Sequence, residues 1–272
     1  LDCDGIPAVK PKIFDPDEAE QLRSRCHGNE AIVTAVKETE KKVKAPKLYD
    51  LTTLQREANR IYGMTAKQTL DTAQSLYEKK LITYPRTDSQ YLTEDMEQTA
   101  RNVVRQIYEK YQLTGPFDQP EQPDVKKVMN NSKVTDHHAI IPTMELASSH
   151  LDELKSWEEK ILFLIAVHTV MAMSKDHIYQ ETEIEVECQG EIFKAKGKTV
   201  LQDGWKLFEN CFKNKDRMAI VDPDQEMKER MPKVTQGQTF YAVAAEKTEH
   251  FTSPPKPVSY THLRAHETRG NL

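Results

Sequence analysis

The 272-residue chain reads as an α+β protein of more than one domain, and three features carry that reading. Residues 52–80 hold two helix-start signatures followed by apolar residues at helical spacing. A long apolar stretch over Leu151 to Met173 predicts a further helix. After Asp176 the texture changes to alternation, with acids interleaved with Ile184 and Val186, which predicts strands.

The elements follow in order. Leu1 to Asp50 is mixed. Asp15 and Pro16 before acids at 17, 18 and 20 mark a helix start, and Gly28 its end. Ala31 to Val36 suits a short strand, and the charged run Lys37 to Lys47, with Pro46, suits a connector. Thr52 with Gln55 fits a capping box, and Gly63 stops that helix. Thr65 with Gln68 fits a second box for a helix reaching about Lys80. Together they suggest a helix-turn-helix unit. Leu81 to Tyr84 is a short extended piece, because Pro85 pushes Tyr84 out of helical angles. Thr93 can cap a helix reaching about Tyr111, and residues 115–123 form a loop. Alternation over Glu181 to Glu187, Glu191 to Lys198 and Phe240 to Val243 predicts a β-rich unit over residues 178–250.

Composition bounds the function. Hydrophobic residues make up 38% and charged residues 30%, as in a soluble protein, and the net charge is -5, so any nucleic-acid site must be a local basic patch. Cysteines at 3, 26, 188 and 211 form no CxxC pair and have no histidine at zinc spacing, which suits a reducing compartment. The longest apolar run, Ile161 to Val167, is too short to span a bilayer. The chain begins with Leu1 in mid-pattern, which reads as a truncated start.

The segment Leu81 to Ser89, LITYPRTDS, carries the chemistry. Tyrosine is a weak nucleophile near neutrality because its ordinary pKa is about 10. A nearby guanidinium favours the phenolate and can pair with a phosphate oxygen. In extended chain Arg86 falls on the same side as Tyr84, Pro85 stiffens the link, Thr87 and Ser89 add hydroxyls, and Asp88 can hold Arg86. These are parts for attack on a phosphodiester. The same run also describes a plain turn, with tyrosine on the core and Arg-Asp paired at the surface, and spacing does not separate the two. Arg101 and Arg105 suit a solvated helix face, and Trp157 and Trp205 suit packing.

Residues 10–257 resemble the type IA DNA topoisomerases, the bacterial topoisomerase III branch in particular. The resemblance lies in Leu48-Tyr49-Asp50-Leu51, in Thr53 to Ala58 (TLQREA), in Leu76-Tyr77-Glu78, in Ile82 to Ser89 and in Asp136 to Thr143 (DHHAIIPT), with weaker matches at Gly204-Trp205 and Phe251 to Lys256. It implies that Tyr84 is the nucleophile that cuts one strand and holds a 5′-phosphotyrosyl bond, that Arg86 stabilises charge at the scissile phosphate, and that His137 contacts that phosphate. His138 suits packing, and the two histidines alone make no metal site. Thr87, Asp88, Ser89, Gln55, Lys79 and Lys80 are the candidate DNA-contacting residues.

The resemblance further implies a helical domain of catabolite-activator type carried on a β-rich gate, or arch, within a toroidal architecture. The domain reading is then residues 1–50 as the first gate segment, 51–178 as the helical tyrosine domain, 179–250 as the returning gate segment, 251–257 as the start of a truncated helical domain, and 258–272 as a non-native tail. Magnesium is expected in an acidic domain preceding residue 1, not on this chain, and no nucleotide is needed. This internal fragment by itself would be inactive. The expected partners are single-stranded DNA and a helicase; the expected state is a monomer in the cytoplasm, nucleoid-associated, with no membrane contact. A non-catalytic single-stranded DNA-binding module and a helix-turn-helix regulator are the alternatives. For the regulator, Lys67 and Gln68 are the chief base-reading candidates on the second helix.

Overall fold

The computed structural model describes residues 1–3, 5–10, 13–113, 123–208 and 233–249. The chain divides into two compact units. One comprises Leu1–Lys42, Ile178–Gln202 and Val221–Lys256, and the other Val43–His177, Asp203–Ile220 and Pro257–Leu272, each taken over its described residues.

The first unit is a helix on a four-stranded sheet. Helix α1 (Pro16–Cys26) starts as its sequence predicts: Asp15 accepts a hydrogen bond from the Asp17 amide at 2.8 Å, and Pro16 occupies the first turn. Strands β1 (Ala31–Val43), β2 (His177–Cys188), β3 (Glu191–Gln202) and β4 (Thr239–Phe240) lie in the order β3-β2-β1-β4. β1 runs well past Val36, so much of the charged run read as a connector is strand. The charges are accommodated by β2 alongside, where Gln180 donates to Glu38 at 2.7 Å and Lys41 approaches Glu181 at 4.0 Å.

The β2–β3 hairpin turns at Gln189 and Gly190, both at positive φ. Its register places Glu181, Glu183 and Glu185 opposite Lys198, Lys196 and Lys194, with a Lys194–Glu185 ion pair at 2.8 Å. The alternating acids of one strand thus face the alternating lysines of the other, leaving Ile184, Val186, Phe193 and Ala195 for the core. Cys3, Cys26 and Cys188 are buried in that same core.

The second unit is mostly helical, with α2 (Leu51–Tyr62), α3 (Ala66–Glu78), α4 (Glu97–Tyr111) and α5 (Ser156–Ala172). α2 is capped in a different frame from the Thr52–Gln55 reading: Asp50 accepts from the Thr53 amide at 2.6 Å and Thr53 Oγ1 accepts from the Asp50 amide at 3.1 Å. The Thr65–Gln68 box is formed as read, and Gly63 closes α2 at φ 67°. Thr93 makes no side-chain cap; a short 3-10 turn, Glu94–Met96, leads into α4.

α5 is shorter than the apolar stretch that predicts it, because Leu151–Glu153 forms a separate 3-10 turn. Its residues from Ile161 onward are buried nearly all round, with α2, α3 and α4 against it. Trp157 lies outside that core, 49% exposed, with the Lys160 ammonium 4.9 Å from its ring. Trp205 does pack, and its indole donates to the Val43 carbonyl at 3.2 Å. Gly204 beside it admits no side chain, since a Cβ there would lie 2.3 Å from the Asp176 carbonyl oxygen. No helix among the described residues is long and apolar enough to cross a membrane.

Candidate active site

The Tyr84 segment is not a free loop. Leu81 to Thr83 runs antiparallel to Ile141 to Thr143: Thr83 donates to the Ile141 carbonyl at 2.9 Å, and Thr143 donates to Leu81 at 3.0 Å. Thr83 Oγ1 adds bonds to Ala139 and Ile141. Ile82, Ile140 and Ile141 point into the core, so burial sets the register of both segments. This pairing brings the DHHAIIPT run beside the tyrosine.

The Tyr84 and His137 rings meet at 4.4 Å between centroids, tilted by 49°. Tyr77, from α3, meets Tyr84 edge-on at 5.3 Å. The phenol therefore stands between two ring neighbours, and it is half-buried. His137 is exposed and joins Arg86, Asp88 and Asp136 in lining an open groove of about 450 Å³ at the start of α2. Arg86 is exposed and makes no ion pair or side-chain hydrogen bond among the described residues, so Asp88 does not hold it in the way its position suggests. The guanidinium is available to an anion. His138 turns away and its Nδ1 lies 2.8 Å from the Ala139 carbonyl.

The remaining candidates divide. Thr87 and Ser89 are buried and serve the framework. Thr87 Oγ1 donates to the His137 carbonyl at 2.9 Å, and Ser89 Oγ donates to the Lys133 carbonyl at 2.9 Å. Asp88 is exposed in the groove. Gln55 is buried, and its amide donates to the Ala66 carbonyl at 3.0 Å across the α2–α3 turn. Lys79 is also committed internally, to the buried Glu158 at 2.6 Å. Burial alone would raise the Glu158 carboxyl, but hydrogen bonds from Lys79 and Ser75 and from the Lys155 amide hold it down at about 2. Lys80 is exposed at φ 61° just past α3, with its carbonyl bonded to the Thr143 hydroxyl. Tyr77 is the ring neighbour that sequence reading missed; its helical spacing marks only a packing position.

Among the described residues no group of three His, Cys, Asp or Glu side chains could hold a metal ion. No step below runs through a metal ion.

The Tyr84 phenol meets the His137 imidazole, and His137 lines an open groove with the Arg86 guanidinium. A phenol can act as a nucleophile and a guanidinium can stabilise negative charge. The comparisons give the site its family: the DNA topoisomerase family model matches residues 7–265, and the chain belongs to that family. It is 37% identical to DNA topoisomerase 3 of Bacillus licheniformis over 253 residues, covering 90% of this chain and 33% of that protein. It is also 37% identical to DNA topoisomerase 3 of Bacillus subtilis over 249 residues, with the same coverage of 90% and 33%. The chain thus spans about a third of the length of the curated relatives it matches. Among solved structures, full-length topoisomerase I of Thermotoga maritima matches with a TM-score of 0.69 and 25% identity, over 98% of this chain and 42% of that one.

Proposed function

We propose that this chain supplies the nucleophile of a type IA topoisomerase reaction on single-stranded DNA. The observation that carries the reading is the convergence of Tyr84, Arg86 and His137 from two paired segments. Tyr84 Oη attacks the scissile phosphorus. A phosphotyrosyl ester forms at the 5′ end, the bond to the 3′ oxygen breaks, and that oxygen leaves as a hydroxyl with the proton lost by the phenol. Resealing is the reverse attack by the 3′ hydroxyl. One ester replaces another, so no nucleotide is consumed. Arg86 stabilises the charge that builds on the non-bridging phosphate oxygens, and His137 donates a hydrogen bond to the same phosphate.

Strand passage through the gap, a magnesium ion held elsewhere, and any helicase partner belong to the whole protein of which this segment corresponds to about a third in its relatives. On this reading the 272-residue chain by itself binds single strands but does not relax plasmid. The test is a chimera in which this chain replaces the matching third of the Bacillus subtilis relative. It should form a covalent adduct with an end-labelled oligonucleotide, seen on a denaturing gel, and Tyr84→Phe should form none while still binding DNA. Undiminished adduct in the Tyr84→Phe chimera would remove the assignment.

A further inference from the structure

The Arg86 groove has a neighbour. A second groove, of about 340 Å³, shares the first turn of α2: Thr52 lines the one and Thr53 the other, and the chain leaving Asp88 reaches the second at Gln90. Lys47, Arg56, Tyr49 and His168 complete its walls.

Its construction is that of a supported basic site. Tyr49 is buried and stacks on His168, with centroids 3.7 Å apart and planes 13° from parallel. His168 Nε2 lies 2.7 Å from the Lys47 carbonyl. Burial holds that imidazole down at about 4, so near neutrality it is an uncharged N–H donor to the carbonyl. The bond fixes the backbone of Lys47 at the rim. The Lys47 ammonium stands 5.5 Å from the centre of the Tyr91 ring, and the Lys133 ammonium approaches the same ring at 5.5 Å. Two cations are thus gathered at one aromatic ring. Ser89 holds the Lys133 carbonyl, which ties this loop to the Tyr84 segment.

The charge is left over for a ligand. Arg56 is exposed and forms no ion pair among the described residues. The acid on this wall, Glu57, is engaged by Arg60 at 2.7 Å. Lys47 and Arg56 therefore make this groove a local basic patch, with Lys133 meeting Lys47 at the Tyr91 ring, on a chain whose net charge is -5. Cations held this way without acids to answer them suit phosphate.

We propose that this second groove is a phosphate-binding station for the single strand that enters the Arg86 groove, with Lys47 and Arg56 contacting backbone phosphates further along that strand. The inference rests on the reading that the first groove takes single-stranded DNA, and adds a place where this chain holds the strand away from the cut.

The test is fluorescence anisotropy of a labelled oligothymidylate with the intact 272-residue chain over a salt series. The comparison is wild type against the double variant Lys47→Gln/Arg56→Gln. Both side chains are exposed, so folding should survive, and circular dichroism checks it. Each phosphate contact on a single strand contributes about 0.7 to the log–log salt slope, so losing two should lower the slope by about 1.4. Wild-type binding with an unchanged slope in the double variant overturns this inference and leaves the Arg86 groove standing. Absence of any wild-type binding removes both. As a control on place, Lys198→Gln, on β3 of the other unit, should leave the slope unaltered; an equal fall there would mean diffuse charge attraction and overturn the station.

Discussion

Thr87 Oγ1 donates to the carbonyl of His137 at 2.9 Å, joining two segments 50 residues apart in sequence. The backbone carbonyl of Thr87 also accepts from the Leu51 amide at 3.0 Å, at the start of α2, and its hydroxyl accepts from the Ser89 amide at 3.1 Å. One buried residue therefore sets the His137 loop, the site segment and α2 against one another, the first two through its hydroxyl and α2 through its carbonyl. Thr87→Val keeps the shape and strands the His137 carbonyl and the Ser89 amide. Stability should fall by about 1–3 kcal/mol, the cost of leaving buried polar groups unpaired. Urea unfolding should show a lower midpoint at constant m-value. An unmoved midpoint would mean that the His137 carbonyl finds water without cost.

The Lys79–Glu158 pair gives a pH dependence. Glu158 titrates near 4.5 when unfolded and is held at about 2 in the fold. A depressed carboxylate contributes stability that is fully present above the unfolded value and is lost as pH falls through the folded one. The window is therefore from about pH 4.5 down to about pH 2, with an upper bound of about 3 kcal/mol from the size of the shift. Glu158→Gln should lower stability at pH 6 and flatten its decline between pH 5 and pH 3. The measurement is the urea midpoint of both proteins across that range. Parallel pH profiles would show that other carboxylates dominate acid unfolding.

What could be read from the sequence was what depends on near neighbours. The Thr65–Gln68 box, the Asp15–Pro16 start and the Gly63 stop use contacts within a turn or so, and all are formed. The α2 cap falls at Asp50–Thr53 rather than Thr52–Gln55 because both frames carry capping residues and local sequence does not choose between them. The long-range bond from the Leu51 amide to Thr87 accompanies the earlier frame. Gln55 and Lys79 stand in the sequence as polar side chains near the Tyr84 motif. Their partners, the Ala66 carbonyl and Glu158, come from the α2–α3 turn and from α5, which sequence spacing does not place. The same limit hides the basic groove: Lys47 and Arg56 line one groove with Tyr49 and His168, where Tyr49 pairs with Ile140 and stacks on His168, contacts that sequence spacing does not place.

Arg86 separates charge from geometry. Its guanidinium lines the groove with His137 and has no internal partner among the described residues, so replacing it should cost little stability. Arg86→Lys keeps the positive charge but loses the planar fork that can give a phosphate two parallel hydrogen bonds. If Arg86 acts mainly on the charge that develops during transfer, the lysine variant should bind strands with nearly the wild-type salt slope, since one cation is still supplied. Its cleavage should nevertheless slow by about a hundredfold, corresponding to about 3 kcal/mol for one misplaced transition-state donor. Single-turnover cleavage and religation in the Bacillus subtilis chimera give the rates, and anisotropy on the chain alone gives the slope. A loss of binding as large as the loss of rate would reassign Arg86 to ground-state attraction of the strand. A wild-type rate would mean that the fork is not used, and that any cation at this point of the groove suffices.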